Sequence, residues 1–251
     1  MRNRKLWAVI SLLGGMILIQ ACDNGLTGIE DDVFLVEKSA GWSEAPGDSC
    51  TYSGDLTDAD ITGILEMREE EKLARDVYLY FYEMYGHSIF SNIASSEDAH
   101  TTAVFQLIEG YGLGDPALEG EGEFSNPVFT ELYQQLTEQG SASLVDALKT
   151  GAFIEEYDIN DLVELLAETE NSDIINVYGN LLKGSENHLR AFVNVLESLG
   201  EEYEPAILEV DDYLEILSES NDNKKNQGKK SNSQKNNQNQ KQNGNSYSGN
   251  S

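Results

Sequence analysis

Apolar positions recur near a 3.6-residue period through the middle of the chain and predict four long helices. Asp58 or Asp60 can cap the first, which runs to about Tyr85 through Ile61, Ile64, Leu65, Leu73, Val77 and Phe81. Glu69, Glu70 and Glu71 interrupt its stripe. Consecutive carboxylates on a helix usually face solvent, so at most one or two of the three should point inward. Glu71 shares a face with Ala74 and Tyr78, whereas Glu70 reads as solvated. The second helix, about Ser88 to Tyr111, buries Ile89, Ile93, Val104, Leu107 and Ile108. A Gly-, Asp- and Pro-rich connection follows. It leads to a short helix from Pro127 to Gln139, which Gly140 ends. The third long helix spans about Ser141 to Glu168, and Gly151 in its interior points to a local deformation or a close helix approach. The fourth runs from Ser172 to Leu199 with Gly200 as its stop, and a short helix near Ala206 to Leu217 follows Pro205.

Polar residues sit on these apolar stripes where they should not. Glu97 and His100, three apart, project from one helix face one and two turns before Val104 and Leu107. Glu155 and Asp158 repeat the spacing on the third long helix, where Glu155 faces inward and Glu156 reads as solvated. His188 lies on the stripe of the fourth, one turn after Ser185. His87 follows Gly86 in a turn and reads as exposed. Carboxylate and imidazole donors on facing helices suit iron, manganese or zinc, not a soft thiolate site.

The ends of the chain differ from this core. A basic start, Met1 to Lys5, and an apolar run from Leu6 to Ile19 have the shape of an export signal, shorter than a membrane span needs. Ala21-Cys22 resembles the lipobox of bacterial lipoproteins. That resemblance implies cleavage of residues 1–21, a lipid on Cys22 and anchoring to a membrane on the exported side of a bacterial cell envelope; the alternative is an ordinary cleaved signal with an incidental cysteine. Residues 22–57 are polar with no sustained period and read as a flexible tether. Cys50 would then be a single incidental thiol. Residues 218–251 are rich in Asn, Lys, Gln and Ser and are expected to be disordered. The net charge of −29 on 251 residues argues against a nucleic-acid partner.

In chain order the helices carry Glu71, then Glu97 with His100, then Glu155 with Asp158, then His188. This order resembles the ferritin-like di-iron proteins, in which two helices each give a Glu and two each give a Glu-x-x-His. Glu71-x-x-Ala74-x-x-x-Tyr78 followed by Glu97-x-x-His100 is similar to rubrerythrin-type sequences. Glu69 to Tyr78, Ser96 to His100, Ile154 to Ile159 and Gly184 to Phe192 are similar to a prokaryotic branch of that superfamily known only as a domain of unknown function. The resemblance covers about residues 56–217. It implies an all-α, ferritin-like four-helix bundle over 58–217, with a long crossover between the second and third long helices. It implies an iron site of one or two ions, held by Glu71, Glu97, His100, Glu155, Asp158 and His188. Ser185 departs from the pattern, which would put a Glu there; Asp158 can substitute, and a lopsided dinuclear or single-metal site stays open. Tyr78 reads as a packed core residue, with a hydrogen bond to the site as the alternative. The chain has no Cys-x-x-Cys pair for a rubredoxin-like electron path. Three functions follow: an oxidoreductase acting on Fe(II), oxygen or peroxide; a metal-binding protein without catalysis; and a metal-free scaffold. Redox partner and oligomeric state are open.

Overall fold

The computed structural model describes Tyr52 and residues 54–218. Among these residues the protein is all-α. Helix α1 (Asp58–Tyr85) turns through two residues into α2 (Ser88–Gly110). Helix α3 (Pro127–Gly140) lies in the long connection to α4 (Leu144–Glu168), and a three-residue link joins α4 to α5 (Ser172–Ser198). The short links fold each pair back on itself. Contacts run from α1 to α2, α2 to α5, α5 to α4 and α4 back to α1, closing a ring of four long helices, with α3 packed on α1 and α4. Residues from Glu209 on form a second unit, whose described part is the helix over 210–218, α6. No helix of the described residues is long and apolar enough to cross a membrane.

Local chemistry sets the helix ends. Thr57, not an aspartate, caps α1: its hydroxyl accepts the Asp60 N–H while Asp60 accepts the Thr57 N–H, a reciprocal box. Gly86 ends α1 at φ 66°, where a side chain would strain the backbone, and its N–H reaches Tyr82 O at 2.8 Å. His87 is half-buried and not free, because its Nδ1 accepts the Ile89 N–H at the start of α2. Ser143 caps α4, which therefore starts three residues later than its periodicity suggests.

Glu69, Glu70 and Glu156 are all buried, although Glu70 and Glu156 were expected in solvent. Glu69 accepts backbone N–H groups of Ser125 and Asn126, which ties α1 to the N-terminus of α3. Glu70 is buried beside it. Glu156 on α4 is fully buried and accepts the Tyr203 hydroxyl and the N–H groups of Ala206, Ile207 and Leu208. Those amides are therefore committed to a bend, so no helix starts at Ala206 and α6 begins at 210. Lys72 is equally unexpected inside. Its ammonium meets Asp76 at 2.5 Å and Gly120 O at 2.8 Å, and lies 4.4 Å from the Phe124 ring centre. Glu69, Lys72 and Asp76, at i, i+3 and i+7, thus form a charged stripe that fastens the long connection to α1.

The apolar core is split in two along the helices. One layer is built from Ile64, Met67, Val104, Leu107, Leu162, Leu165, Val177 and Leu181, with Tyr52 and Leu56 packed against it. The other is aromatic: Phe90 packs at a tilt against Phe81 and Phe192, and Phe192 against Tyr78. Gly151 permits this second layer, since a Cβ there would stand 2.5 Å from the Phe192 ring. Between the two layers every long helix contributes polar side chains.

Candidate metal centre

Glu71 on α1, Glu97 and His100 on α2, Glu155 and Asp158 on α4, and His188 on α5 meet in that polar layer, all buried. Glu71, Glu97, His100 and His188 each lie between residues of the two apolar layers on their own helix, and Glu155 and Asp158 lie between Gly151 and Leu162 on α4, so the helical period that builds the core also turns these side chains inward. Glu97 is the hub. Its Oε2 is 2.8 Å from His100 Nδ1 and its Oε1 is 2.7 Å from His188 Nδ1. Glu71 Oε2 approaches His100 Nδ1 at 3.3 Å, and Glu155 Oε2 approaches His188 Nδ1 at 3.4 Å. The two imidazoles stack at 5.5 Å between ring centres. Two triads result, Glu71–Glu97–His100 and Glu97–Glu155–His188; the donor atoms of each lie within 4.8 Å of one another, and Glu97 is common to both.

The hydrogen bonding inside the cluster is incomplete. Glu71 Oε1, Glu97 Oε1, Asp158 Oδ1 and His188 Nδ1 are buried without a hydrogen-bond partner. His188 Nδ1 and Glu97 Oε1 are close yet misaligned for a hydrogen bond. Buried polar atoms ordinarily find partners, so converging orphaned donors and acceptors mark a place where a cation fits. The charges agree: four carboxylates, two neutral imidazoles and two divalent ions make a neutral set.

Without a cation, protons must serve instead. Burial alone would push Glu97 up, but His188 and His100 override it and hold the carboxyl well below the usual range. Burial opposes charging of His188, yet Glu97 and Glu155 raise it to about 10; His100 is raised by Glu97 and Glu71 in the same way. Burial pushes Glu71 and Glu155 up, with Asp158 adding to the first and Glu97 to the second. Asp158 is pushed up to about 8 by burial, against its Ser185 hydrogen bond and with Glu155 and Glu97 adding. The hydrogen count at Ser185 says the same. Its one hydroxyl proton faces two acceptors, Asp158 Oδ2 and, at 3.0 Å, Leu181 O. A proton on Asp158 satisfies both contacts.

Around the cluster lie residues whose roles the sequence concealed. Tyr78 is more than core packing: its hydroxyl donates to Glu155 Oε1 at 2.5 Å. Ser96 Oγ is 2.9 Å from His188 Nε2, which leaves Nδ1 for the centre. Gly184 makes room for His100, because a Cβ there would stand 2.4 Å from Nε2. A glycine inside an amphipathic helix was a usable signal for Gly184; Ser96 stood at the head of the Ser96–His100 stretch with no sign of a role. Asp158 adjoins both triads without joining either, held by Ser185, the residue that departs from the Glu-x-x-His pattern. Cys22 lies outside the described residues.

Fold and site together define an all-helical protein with a buried carboxylate–histidine centre. The chain belongs to the family described as an uncharacterized protein domain (DUF2202), which matches residues 60–220. It is 49% identical over 173 residues to "Uncharacterized protein MJ0754" of Methanocaldococcus jannaschii, a match covering 68% of this chain and 94% of the relative. The crystal structure of hypothetical protein MJ0754 superposes with a TM-score of 0.65, covering 66% of this chain and 95% of that one.

Proposed function

We propose that the chain is an iron-binding protein built on a ferritin-like four-helix bundle, with a carboxylate–histidine site for two ions to which Glu97 would be common. The observation that carries this reading is the pair of buried triads sharing Glu97, with unpartnered donor atoms converging from four helices. Glu71 and His100 would hold one ion, and Glu155 and His188 the other. Asp158, aimed by Ser185, takes the part of the carboxylate that Ser185 does not supply. Bound iron would supply electron exchange with dioxygen or peroxide. The residues themselves neutralise charge, fix imidazole orientation and keep bulk water out. The burial of the centre restricts any reactant to a small molecule. Manganese or zinc would suit the same donors.

The test is metal content by elemental mass spectrometry on the anaerobically purified chain, beside a His100→Ala/His188→Ala variant. Near-stoichiometric iron, lost in the variant, supports the reading. A wild type that carries no metal and takes up no Fe(II) sinks it. That result would leave a metal-free scaffold whose imidazoles are balanced only by carboxylates. We also propose that Cys22 is lipidated and holds the domain at an envelope membrane. Intact mass should then show a diacylglycerol adduct on Cys22, and Cys22→Ala should release the chain from membranes.

A further inference from the structure

We propose that the two triads are inequivalent: Glu155 and His188 form a pre-organised position that retains its ion, whereas Glu71 and His100 form an exchangeable position reached past the His100 ring. The inference rests on the metal-binding reading above and concerns how the two halves differ.

The retaining half is held from behind. Tyr78 donates to Glu155 Oε1 at 2.5 Å, which leaves Oε2 facing His188. Ser96 engages His188 Nε2 at 2.9 Å, which leaves Nδ1 facing Glu97. Both ligands are thus oriented before any ion arrives, and both are nearly closed to solvent.

The other half has no such supports among the hydrogen bonds of the described residues. Glu71 Oε2 meets only His100, itself a ligand, and Glu71 Oε1 has no partner. The Nε2 edge of His100 lies over Gly184, against backbone where no side chain rises to fix it. The His100 side chain is 11% exposed, against 1% for Glu71, 2% for Glu97 and 3% for His188, so the centre meets solvent at this ring. Hydrogen-bond partners behind a metal ligand are typically worth roughly 10–100-fold in affinity. Two triads that share Glu97, one braced and one not, should differ by about that factor. An ion that stays at one position and comes and goes at the other gives the chain the chemistry of metal uptake and delivery as well as that of a fixed cofactor.

The experiment is an anaerobic titration of the metal-free full chain with Co(II), whose visible spectrum reports each occupied position, with elemental analysis of the product. Two steps are expected, separated by roughly 10–100-fold in affinity, and a chelator should remove one ion much faster than the other. His100→Ala should abolish the weak step and keep the tight one. Gly184→Ala, which displaces the ring while removing no donor, should weaken the weak step alone. Tyr78→Phe should weaken the tight step by roughly 10-fold and spare the weak one. Circular dichroism checks that each variant is folded. Two ions of equal affinity leaving in a single phase would overturn the inference, as would loss of the tight step in His100→Ala. A wild type that binds no Co(II) would instead remove the metal-binding reading, and this asymmetry with it.

Discussion

Glu97 is the residue whose loss should be felt at both positions, and Glu97→Gln tests this with least change of shape. Its carboxylate lies 2.8 and 2.7 Å from the two imidazoles, all three groups buried. Breaking a buried ion pair from one side costs about 3–5 kcal/mol, because the remaining charge is stranded. The rise of His188 to about 10 gives a similar figure: at about 1.36 kcal/mol per unit, its preference for the charged form amounts to about 5 kcal/mol, part of which comes from Glu155. For a domain of this size about 1 kcal/mol moves Tm by about 2–4 °C, so Glu97→Gln should lower the Tm of the chelated protein by about 6–20 °C. The assay is thermal unfolding by circular dichroism at pH 7 with chelator present, alongside metal content without it. Glu97→Gln should hold no ion, whereas Glu71→Gln should still hold the one at Glu155 and His188. A chelated Glu97→Gln protein melting within 2 °C of wild type, or retaining one ion at wild-type affinity, would refute the placement of Glu97 as the hub.

Other expectations follow from the same contacts. The chelated protein should lose stability as pH rises from about 5 to 8. Folded-state values raised for Asp158, Glu71 and Glu155 give stability present below their ordinary range and lost as pH climbs through the folded value, about 8 for Asp158; the raised histidines extend the loss above that. Iron should reverse the slope, because ions and protons compete for the same atoms; a chelated Tm that climbs between pH 5 and 8 would contradict this. Glu156→Ala removes the acceptor for four donors, each costing about 1–3 kcal/mol if left buried. It should therefore raise amide exchange at Ala206 to Leu208 at least about 10-fold, since opening to solvent relieves that cost, while metal content stays unchanged. Lys72→Met and Asp76→Leu should each cost about 3–5 kcal/mol in denaturant unfolding, and the double variant should be more stable than either; singles within 1 kcal/mol of wild type would show that the pair is not held apart from water.

Periodicity made the helices legible because each long one carries a nearly continuous apolar stripe; Ile61 to Phe81 and Val177 to Leu199 located α1 and α5 within a residue or two. It failed where a polar side chain outbid it. Ser143 decided where α4 starts, and Glu156, by taking three amides, decided where α6 cannot. The six candidate ligands were visible as charges at positions that should have been apolar. The supports behind them were not, because Tyr78 already fitted the core stripe and Ser96 is indistinguishable from any helix-surface serine. A hydrogen bond across 92 residues of chain, from Ser96 to His188, has no local signature.

The run Glu69-Glu70-Glu71 shows most clearly what separates a structural buried acid from a functional one. A chain with a net charge of −29 has many carboxylates, so burial alone says little about any of them. Glu69 and Glu71 are both buried on α1, two residues apart. Glu69 ends on fixed backbone donors of Ser125 and Asn126, which no ligand need replace. Glu71 ends on a titratable imidazole that other carboxylates share, with one oxygen left over. Asp76 and Glu156 fall with the first kind, held by Lys72 or by amides; Glu97 and Asp158 fall with the second. A carboxylate satisfied by fixed donors stabilises one conformation and has no coordination to offer. Carboxylates left with each other and with imidazoles are costly as they stand, and their cost falls when a cation arrives. That difference in partners, more than the count of acids or their spacing, is why the polar layer between α1, α2, α4 and α5 reads as a binding centre and the Glu69–Lys72–Asp76 stripe beside it reads as a fastening.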